Sequence, residues 1–204
     1  MPSFYFEARE RALLGRDYED RYTPTGPVHR GITLNRMRIG DTPGREILPR
    51  AGIAAHASGF CRESWELEEA EFRPGLHAYH HAGVYYVQEP SASAPAALLE
   101  VQPGDYVLDL CAAPGGKSAQ LASALKGQGL LVSNEYTASR TGALKSNLER
   151  MGFPNTVILN ESTDRIAAAL PCVFDKVLVD APCSGEGMFR KEPQAESQHT
   201  PALV

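Results

Sequence analysis

The second half of the sequence predicts an α/β fold with a parallel sheet, and three observations carry this prediction. From residue 105 onward, short apolar segments alternate with longer helical ones, as in folds built from strand–helix units. A glycine-rich loop follows the first apolar segment, and an acidic residue, Glu135, follows the second. Together these features predict a Rossmann-like domain whose ligand binds at the carboxyl ends of the strands.

The predicted strands are short and apolar, as strands that are buried on both faces usually are. They are placed at 106–110, 130–133, 156–159 and 175–179. Glycine and proline delimit the helices between them, which are placed at 118–126, 137–151 and 164–170. Since the sequence stops at Val204, we expect a sheet truncated after its fourth strand, with an edge through which the chain could self-associate.

The first half of the sequence predicts a smaller α/β domain. An amphipathic helix is predicted over 4–21 and a strand over 30–35, whereas glycine and proline interrupt 40–75. A further helix is predicted at 91–99. We place the domain boundary after residue 85, which gives an N-terminal domain of residues 1–85 and a catalytic domain of residues 86–204.

The composition is that of an ordinary globular protein. Hydrophobic residues make up 43% and charged residues 22%, and the net charge of −5 argues against a chain that coats nucleic acid by charge alone. Neither a secretion signal nor a membrane-spanning segment is found, so we expect a cytoplasmic protein. The four cysteines form no Cys-x-x-Cys pair and predict reduced thiols without a zinc site; they are Cys61, Cys111, Cys172 and Cys183.

Weaker candidates lie in the first half of the chain. The pair His80–His81 lacks a third ligand nearby, so we expect no metal site there. A strand through Tyr85 and Tyr86 should bury one ring and expose the other. Three arginines are interpreted as a solvated face, with phosphate contact as the alternative; they are Arg30, Arg36 and Arg38.

The glycine-rich loop limits the choice of ligand. The Gly-x-Gly-x-x-Gly pattern of dinucleotide sites is absent, and a phosphate-binding P-loop would need glycine where Cys111 stands. Glu135 follows Gly116 by 19 residues, which is where a ribose-binding acid is expected. S-adenosylmethionine fits these features best, and a nicotinamide-dependent oxidoreductase is the rival interpretation.

A second block with possible chemistry ends the fourth strand, at Asp180-Ala-Pro-Cys183. A thiolate that adds to carbon 6 of cytosine makes carbon 5 nucleophilic, and a carboxylate can hold the amine edge of the ring. The alternative is a buried thiol in a turn, and the spacing alone leaves both open. We interpret Cys111 as a packed loop residue, and Cys61 and Cys172 as buried structural thiols.

Three blocks of the sequence resemble the signatures of the Sun family of S-adenosylmethionine-dependent RNA cytosine-5 methyltransferases. They are Asp109–Lys117, Asn134–Glu135 and Asp180–Lys191. Residues 79–92 resemble the joint between the N-terminal and catalytic domains of that family. The likeness extends from about residue 4 to about residue 193 and is greatest to bacterial members that modify small-subunit ribosomal RNA.

The resemblance implies a set of cofactor-binding residues. Those at the methionine and ribose end would be Cys111, Ala112, Ala113, Pro114, Gly115, Gly116 and Lys117. Glu135 would hold the ribose hydroxyls with Arg140 beside it, and Asp180 would face both cofactor and cytosine. The family's adenine-binding Asp has no counterpart at its usual place, which leaves three candidates: Glu161, Ser162 and Asp164.

The resemblance also implies a division of labour between two cysteines. Cys183 would help to release the product, and the nucleophile would lie in a later Thr-Cys block, whereas this sequence has no cysteine after Cys183. DNA cytosine-5 methyltransferases instead use the Pro-Cys thiol as nucleophile. We therefore expect a parent enzyme that methylates cytosine in small-subunit ribosomal RNA, with an RNA-contacting N-terminal domain. The alternative is a non-catalytic module that binds cofactor or RNA.

Overall fold

A computed structural model of the chain describes residues 4–22 and 29–182. The chain divides into two compact units, one made of residues 1–28 with 181–204 and the other of residues 29–180. The first unit contains helix α1, Phe4–Leu14, and helix α2, Asp17–Tyr22. The single helix predicted over 4–21 is therefore wrong, because Gly15 has a φ of 56° and ends α1.

An antiparallel sheet of four short strands begins the second unit. Its strands are β1 Gly31–Leu34, β2 Ala55–Ala57, β3 Ser64–Leu67 and β4 Tyr85–Val87, in the order β2-β3-β1-β4. Three short helices accompany them: α3 Arg36–Ile39, α4 Gly44–Arg50 and α5 Ala78–His81. The stretch 40–75, which shows only interruptions in the sequence, thus contains one helix and two strands.

A parallel sheet follows and confirms the predicted fold class. Its strands are β5 Tyr106–Asp109, β6 Leu130–Asn134, β7 Thr156–Leu159 and β8 Lys176–Leu178, in the order β7-β6-β5-β8. The helices are α6 Ala94–Leu98, α7 Gly116–Leu125, α8 Ala138–Met151 and α9 Thr163–Ala169. From β5 onward, each element lies within two residues of its predicted bounds. Among the described residues, β8 forms one edge of this sheet.

Strand β4 presents its two faces to two different cores. The ring of Tyr85 is 0% exposed and packs with Ile32 and Leu34 of the antiparallel sheet. The ring of Tyr86 is 8% exposed and belongs to the core of the parallel sheet. The expectation that one ring is exposed is wrong, because both faces of the strand are covered. The domain boundary after residue 85 stays a proposal, and this change of core supports it.

A buried asparagine joins the antiparallel sheet to helix α8. The Nδ2 atom of Asn35 donates to the carbonyl oxygens of Gly83 and Met151, each at 2.9 Å. Its Oδ1 atom accepts the backbone N–H of Met37 and so caps α3. Because the side chain is fully buried, replacing it would leave backbone carbonyls without a partner.

A substitution at Gly83 tests how close the packing is where Asn35 connects the antiparallel sheet to α8. The φ of Gly83 is 68°, and a Cβ there would collide with the carbonyl oxygen of Arg150 and lie 2.9 Å from the Cα of Met151. We expect Gly83→Ala to lower the free energy of unfolding by about 2–4 kcal/mol, because the backbone strain and the collision add. Urea denaturation followed by circular dichroism measures the change.

Gly142→Ala is the matched control. Gly142 lies in α8, and a Cβ there meets nothing within 4 Å. The alanine should stabilise the chain by about 0.5–1 kcal/mol. An equal unfolding midpoint for Gly83→Ala and the wild-type chain would show that the close approach at Gly83 does not constrain the fold.

Candidate active site

The predicted site residues that the structure describes meet at the carboxyl edge of the parallel sheet. The loop of residues 110–115 connects β5 to α7, Glu135 follows β6, and Asp180 follows β8. They come together because β5 pairs in parallel with β6 on one side and with β8 on the other, so the three strands end at the same edge. Cys183 lies outside the described residues.

The glycine-rich loop is tightly placed against the chain around it. Gly115 precedes α7 with a φ of 112°, a conformation that other residues rarely adopt. A Cβ on Gly116 would lie 2.6 Å from the Oε1 atom of Gln88. Ala112 is buried, and its N–H donates to the carbonyl oxygen of Asn134 at 2.8 Å. Small side chains therefore allow the loop to bend close to the sheet edge and leave backbone groups near a ligand.

Glu135 has one carboxylate oxygen to offer to a ligand. The residue is 3% exposed, and its Oε1 atom accepts the N–H of Thr137 at 2.9 Å. The Nη1 atom of Arg140 lies 3.3 Å from Oε2, but no hydrogen bond of the described residues reaches that buried oxygen. A buried carboxylate oxygen without a donor is costly, so Oε2 is suited to accept the hydroxyl of a ligand.

Arg140 connects the glycine-rich loop to Glu135. Its Nη2 atom donates to the carbonyl oxygen of Ala113 at 2.8 Å, while Nη1 faces the carboxylate of Glu135. The guanidinium, which the family resemblance places near the ribose, therefore holds the loop in position and partly neutralises Glu135. Only the rigid fork of an arginine makes both contacts from one side chain.

Asp109 is a buried acid to which the sequence alone gave no role. It is 1% exposed, and the hydroxyl of Ser118 donates to its Oδ2 atom at 2.6 Å. Ser118 in turn accepts the hydroxyl of Ser133 at 3.1 Å. Burial raises the pKa of Asp109 to about 6, although the bond from Ser118 and the charge of Lys117 oppose that rise. The available signal was an acid that ends an apolar strand directly before a glycine-rich loop.

An ion pair connects the loop block to the block at the end of β8. The Nζ atom of Lys117 lies 2.7 Å from the Oδ2 atom of Asp180. Half of the Asp180 side chain, 51%, remains exposed. Lys117 therefore orients the carboxylate and balances its charge while about half of the Asp180 side chain stays exposed.

Cys111 is not an activated thiol. Burial raises the pKa of Cys111, and the negative charges of Glu135, Asp109 and Asp180 raise it further, so the thiol stays protonated at neutral pH. Cys61 is half-buried, and its sulfur accepts a weak bond from Gln120. The expectation of burial is wrong for Cys172, which is exposed on the turn after α9.

A buried asparagine holds the ends of three strands together. The Nδ2 atom of Asn134 donates to the carbonyl oxygens of Leu110 and Glu161, each at 3.1 Å, and its Oδ1 atom accepts the N–H of Glu161 at 3.0 Å. Asn160 adds bonds to the carbonyl oxygens of Glu135, at 2.6 Å, and Tyr136, at 2.9 Å. The two amides thereby fix the backbone that carries Glu135.

The three candidates for an adenine contact have different surroundings. The carboxylate of Glu161 pairs with Arg165 at 2.8 Å. The hydroxyl of Ser162 accepts the N–H of Arg165 at 3.4 Å and caps α9, whereas Asp164 is exposed in the first turn of that helix. Two of the three are therefore already engaged in contacts within the chain.

The three candidate arginines of the first half make contacts within the chain. Arg30 donates to the carbonyl oxygens of Ala70 and Phe72, each at 2.6 Å. Arg36 pairs with Glu63 at 2.5 Å. The guanidinium of Arg38 lies against Gly152, where a Cβ would collide with it. These contacts favour a structural role over phosphate contact.

Within residues 4–22 and 29–182, no group of three or more His, Cys, Asp and Glu side chains is placed to hold a metal ion. No helix in the same ranges is long and apolar enough to cross a membrane.

Comparison with known sequences gives a consistent family. A sequence model of the family described as 16S rRNA methyltransferase RsmB/F matches residues 96–204, more than half of the chain. The chain is also 39% identical over 177 residues to the ribosomal RNA small subunit methyltransferase F of Pectobacterium atrosepticum. That match covers 84% of this chain but 36% of the relative, so the chain spans little more than a third of the relative's length.

Two solved structures share the fold. A methyltransferase homolog protein from Pyrococcus horikoshii is 27% identical, with a TM-score of 0.78, over 94% of this chain and 63% of its own. NSun6 from the same organism, solved with SFG, has a TM-score of 0.80 over 99% of this chain and 75% of its own. Its sequence identity is 15%, so that likeness supports the fold alone.

The buried carboxyl of Asp109 predicts a pH-dependent stability. Its pKa of about 6 lies above the ordinary 3.8, so the folded chain holds the proton more tightly than the unfolded chain, and stability falls as the pH rises from about 4 to about 6. Asp109→Asn removes the charge and keeps an acceptor for Ser118. We expect it to raise the free energy of unfolding by about 2 kcal/mol at pH 7.5 and by much less at pH 4.5.

Urea denaturation of both chains at three pH values between 4.5 and 7.5 measures this difference. Asp105→Asn is the control, because Asp105 carries a carboxyl at the amino end of β5. A difference between Asp109→Asn and the wild-type chain that stays constant over this pH range would contradict the assigned titration.

Proposed function

The chain belongs to the 16S rRNA methyltransferase RsmB/F family, and from that premise we propose that it binds S-adenosylmethionine for methyl transfer to carbon 5 of a cytosine in small-subunit ribosomal RNA. The observation that carries the proposal is the buried carboxylate of Glu135, whose Oε2 atom lies 3.3 Å from Arg140 but accepts no hydrogen bond from the described residues. Because the chain spans 36% of a curated relative, the activity of the whole protein is part of the proposal.

The described residues suit the methyl donor of this family. S-adenosylmethionine supplies a methyl group on a positively charged sulfur, and it also carries two ribose hydroxyls and an amino-acid end. We assign the ribose hydroxyls to the free Oε2 atom of Glu135. The amino-acid end is assigned to the loop Cys111–Lys117, where the N-terminus of α7 favours a carboxylate. Asp109, Glu135 and Asp180 place negative charge around a ligand that carries positive charge.

The target cytosine is assigned to the outer side of the same edge. Half of the Asp180 side chain stays exposed beside its ion pair with Lys117, and the carboxylate can accept a hydrogen bond from the exocyclic amine of the base. In the reaction of the family, a thiolate adds to carbon 6, carbon 5 takes the methyl group, and loss of the carbon-5 proton then expels the thiolate. Asp180 would thus hold the cytosine ring in place while the bond between carbon 6 and the thiolate sulfur forms and breaks.

Cys183 is assigned to product release, following the Sun-family resemblance. It comes three residues after Asp180, and no later cysteine occurs in these 204 residues. The nucleophile would belong to a later Thr-Cys block of the family. Residues 1–85 remain our proposal for the RNA-contacting domain.

Donor binding gives the first test of this proposal. Glu135→Gln keeps the acceptor for the N–H of Thr137 but removes the charge that holds the hydroxyls, so the Kd for S-adenosylmethionine should rise about 10- to 100-fold. Titration calorimetry measures the Kd, and ATP and NAD should give no signal. Tight binding of NAD without a signal for S-adenosylmethionine would overturn the proposal.

Glu149→Gln is the matched control for that test. Glu149 also lies beyond β6 but on the exposed face of α8, where it pairs with Lys145 at 3.7 Å. The same loss of one negative charge there should change the Kd by less than about twofold, since exposed pairs contribute little.

Methyl transfer gives the second test. The 204-residue chain should bind the donor and yet methylate no RNA, because carbon 5 of cytosine needs covalent activation and proximity alone does not provide it. The assay uses labelled S-adenosylmethionine and unmodified small-subunit RNA, with Cys183→Ala measured in parallel. Transfer by the wild-type chain that Cys183→Ala abolishes would make Cys183 the nucleophile and reverse the assigned roles.

A further inference from the structure

Three polar side chains on one face of α8 reach the main chain of two other segments. They are Arg140, Asn147 and Arg150, and the intervals of seven and ten residues correspond to about two and about three helical turns. Arg140 donates to the carbonyl oxygen of Ala113 at 2.8 Å, and Asn147 donates to that of Pro114 at 2.9 Å. The polar face of α8 therefore holds two successive carbonyl groups of the glycine-rich loop.

The bond to Pro114 sets the direction of the next amide. In a trans peptide the C=O and N–H groups point in opposite directions. Because Asn147 holds the carbonyl oxygen of Pro114 toward α8, the N–H of Gly115 points away from that helix. Gly115 directly precedes α7, so this amide belongs to the group of N–H donors at the start of that helix. Asn147 thus determines where a donor for the ligand points without reaching the ligand itself.

Asn147 is itself held in one orientation. The Nη2 atom of Arg150 donates to its Oδ1 atom at 3.2 Å, which leaves Nδ2 facing Pro114. The Nη1 atom of Arg150 donates to the carbonyl oxygen of His80 at 2.6 Å, and its guanidinium lies 5.9 Å from the ring centre of Tyr86. A series of bonds therefore runs from the end of α5 through Arg150 and Asn147 to the cofactor loop.

We propose that Asn147 is a positioning residue for the methyl donor, which it serves by fixing the Pro114–Gly115 peptide of the glycine-rich loop, and that Arg150 holds its amide in the required orientation. The inference rests on the proposed function, since it concerns the affinity of the loop for S-adenosylmethionine. This role of Asn147 differs from packing, because it depends on the N–H donor of the side chain more than on its size and shape.

The Asn147→Asp variant removes the N–H donor of residue 147 and keeps the size of its side chain. The carboxylate has the size of the amide and still accepts from Arg150, but it offers no hydrogen to the carbonyl oxygen of Pro114. We expect the Kd for S-adenosylmethionine, measured by calorimetry on the 204-residue chain at pH 7.5, to rise about tenfold. The amide resonances of Gly115 and Gly116 should shift in the ligand-free chain, because the carbonyl oxygen of Pro114 then keeps only the longer bond from the hydroxyl of Tyr86, at 3.5 Å.

Asn155→Asp is the matched control. Asn155 donates to the carbonyl oxygens of Gln128 and Gly129 at 3.4 and 3.3 Å, before β7 and at the opposite edge of the sheet. The Asn155→Asp variant loses the same kind of hydrogen bond. Its Kd therefore shows how much a loss of stability alone weakens binding of S-adenosylmethionine. We expect its Kd to stay within twofold of the wild-type value and the resonances of Gly115 and Gly116 to stay unchanged.

Arg150→Met is a second variant that keeps the test decisive if Asn147→Asp does not fold. It leaves the Nδ2 donor in place but frees the amide to turn, and the Kd should rise about threefold. A Kd within twofold of wild type in the folded Asn147 variant, or in Arg150→Met where the Asn147 variant does not fold, overturns the inference alone, and so does an equal increase in Asn155→Asp. A wild-type chain that binds no S-adenosylmethionine overturns the proposed function and the inference together.

Discussion

Parallel pairing of β5 with β6 and β8 is the constraint on which the site depends. It places the loop after β5, the acid after β6 and the acid after β8 at one edge, although they are far apart in the sequence. That edge also gathers backbone groups that the strands cannot pair, and Asn134 satisfies several of them. The amide is the suitable side chain here, because it donates and accepts at the same place.

Among the described residues, negative charges outnumber positive ones around the glycine-rich loop, and this excess suits a cationic ligand. Three carboxylates, those of Asp109, Glu135 and Asp180, face the cations of Lys117 and Arg140. The raised pKa of Asp109 is the cost of placing one of these carboxylates in the interior. Under the proposed function, a positively charged sulfur near these groups would lower that cost, so the buried acids Asp109 and Glu135 would add to the affinity for the donor.

The parallel half of the fold could be predicted from sequence, whereas most of the antiparallel half could not. Apolar segments bounded by glycine and proline mark β5 to β8 clearly. Burial on both faces explains the apolar side chains of β5 and β6, whereas β7 and β8 are partly exposed in the described part of the chain. Strands β2 and β3 have only three and four residues and are partly exposed, so no period develops. The exposure of Tyr85 and Tyr86 was predicted wrongly because covering the second face of β4 is a tertiary effect.

The candidate site shows the same division between local and tertiary information. Glu135 and the glycine-rich loop follow strands directly, so their place in the sequence indicates their place in the sheet. Asn147 gives no such signal, since its importance depends on which carbonyl lies opposite the helix after folding. Helix α8 contacts the Asn35 joint at one end and the Arg140–Glu135 pair at the other. Hydrogen bonds to the main chain thus connect α8 both to the Asn35 contact and to the glycine-rich loop.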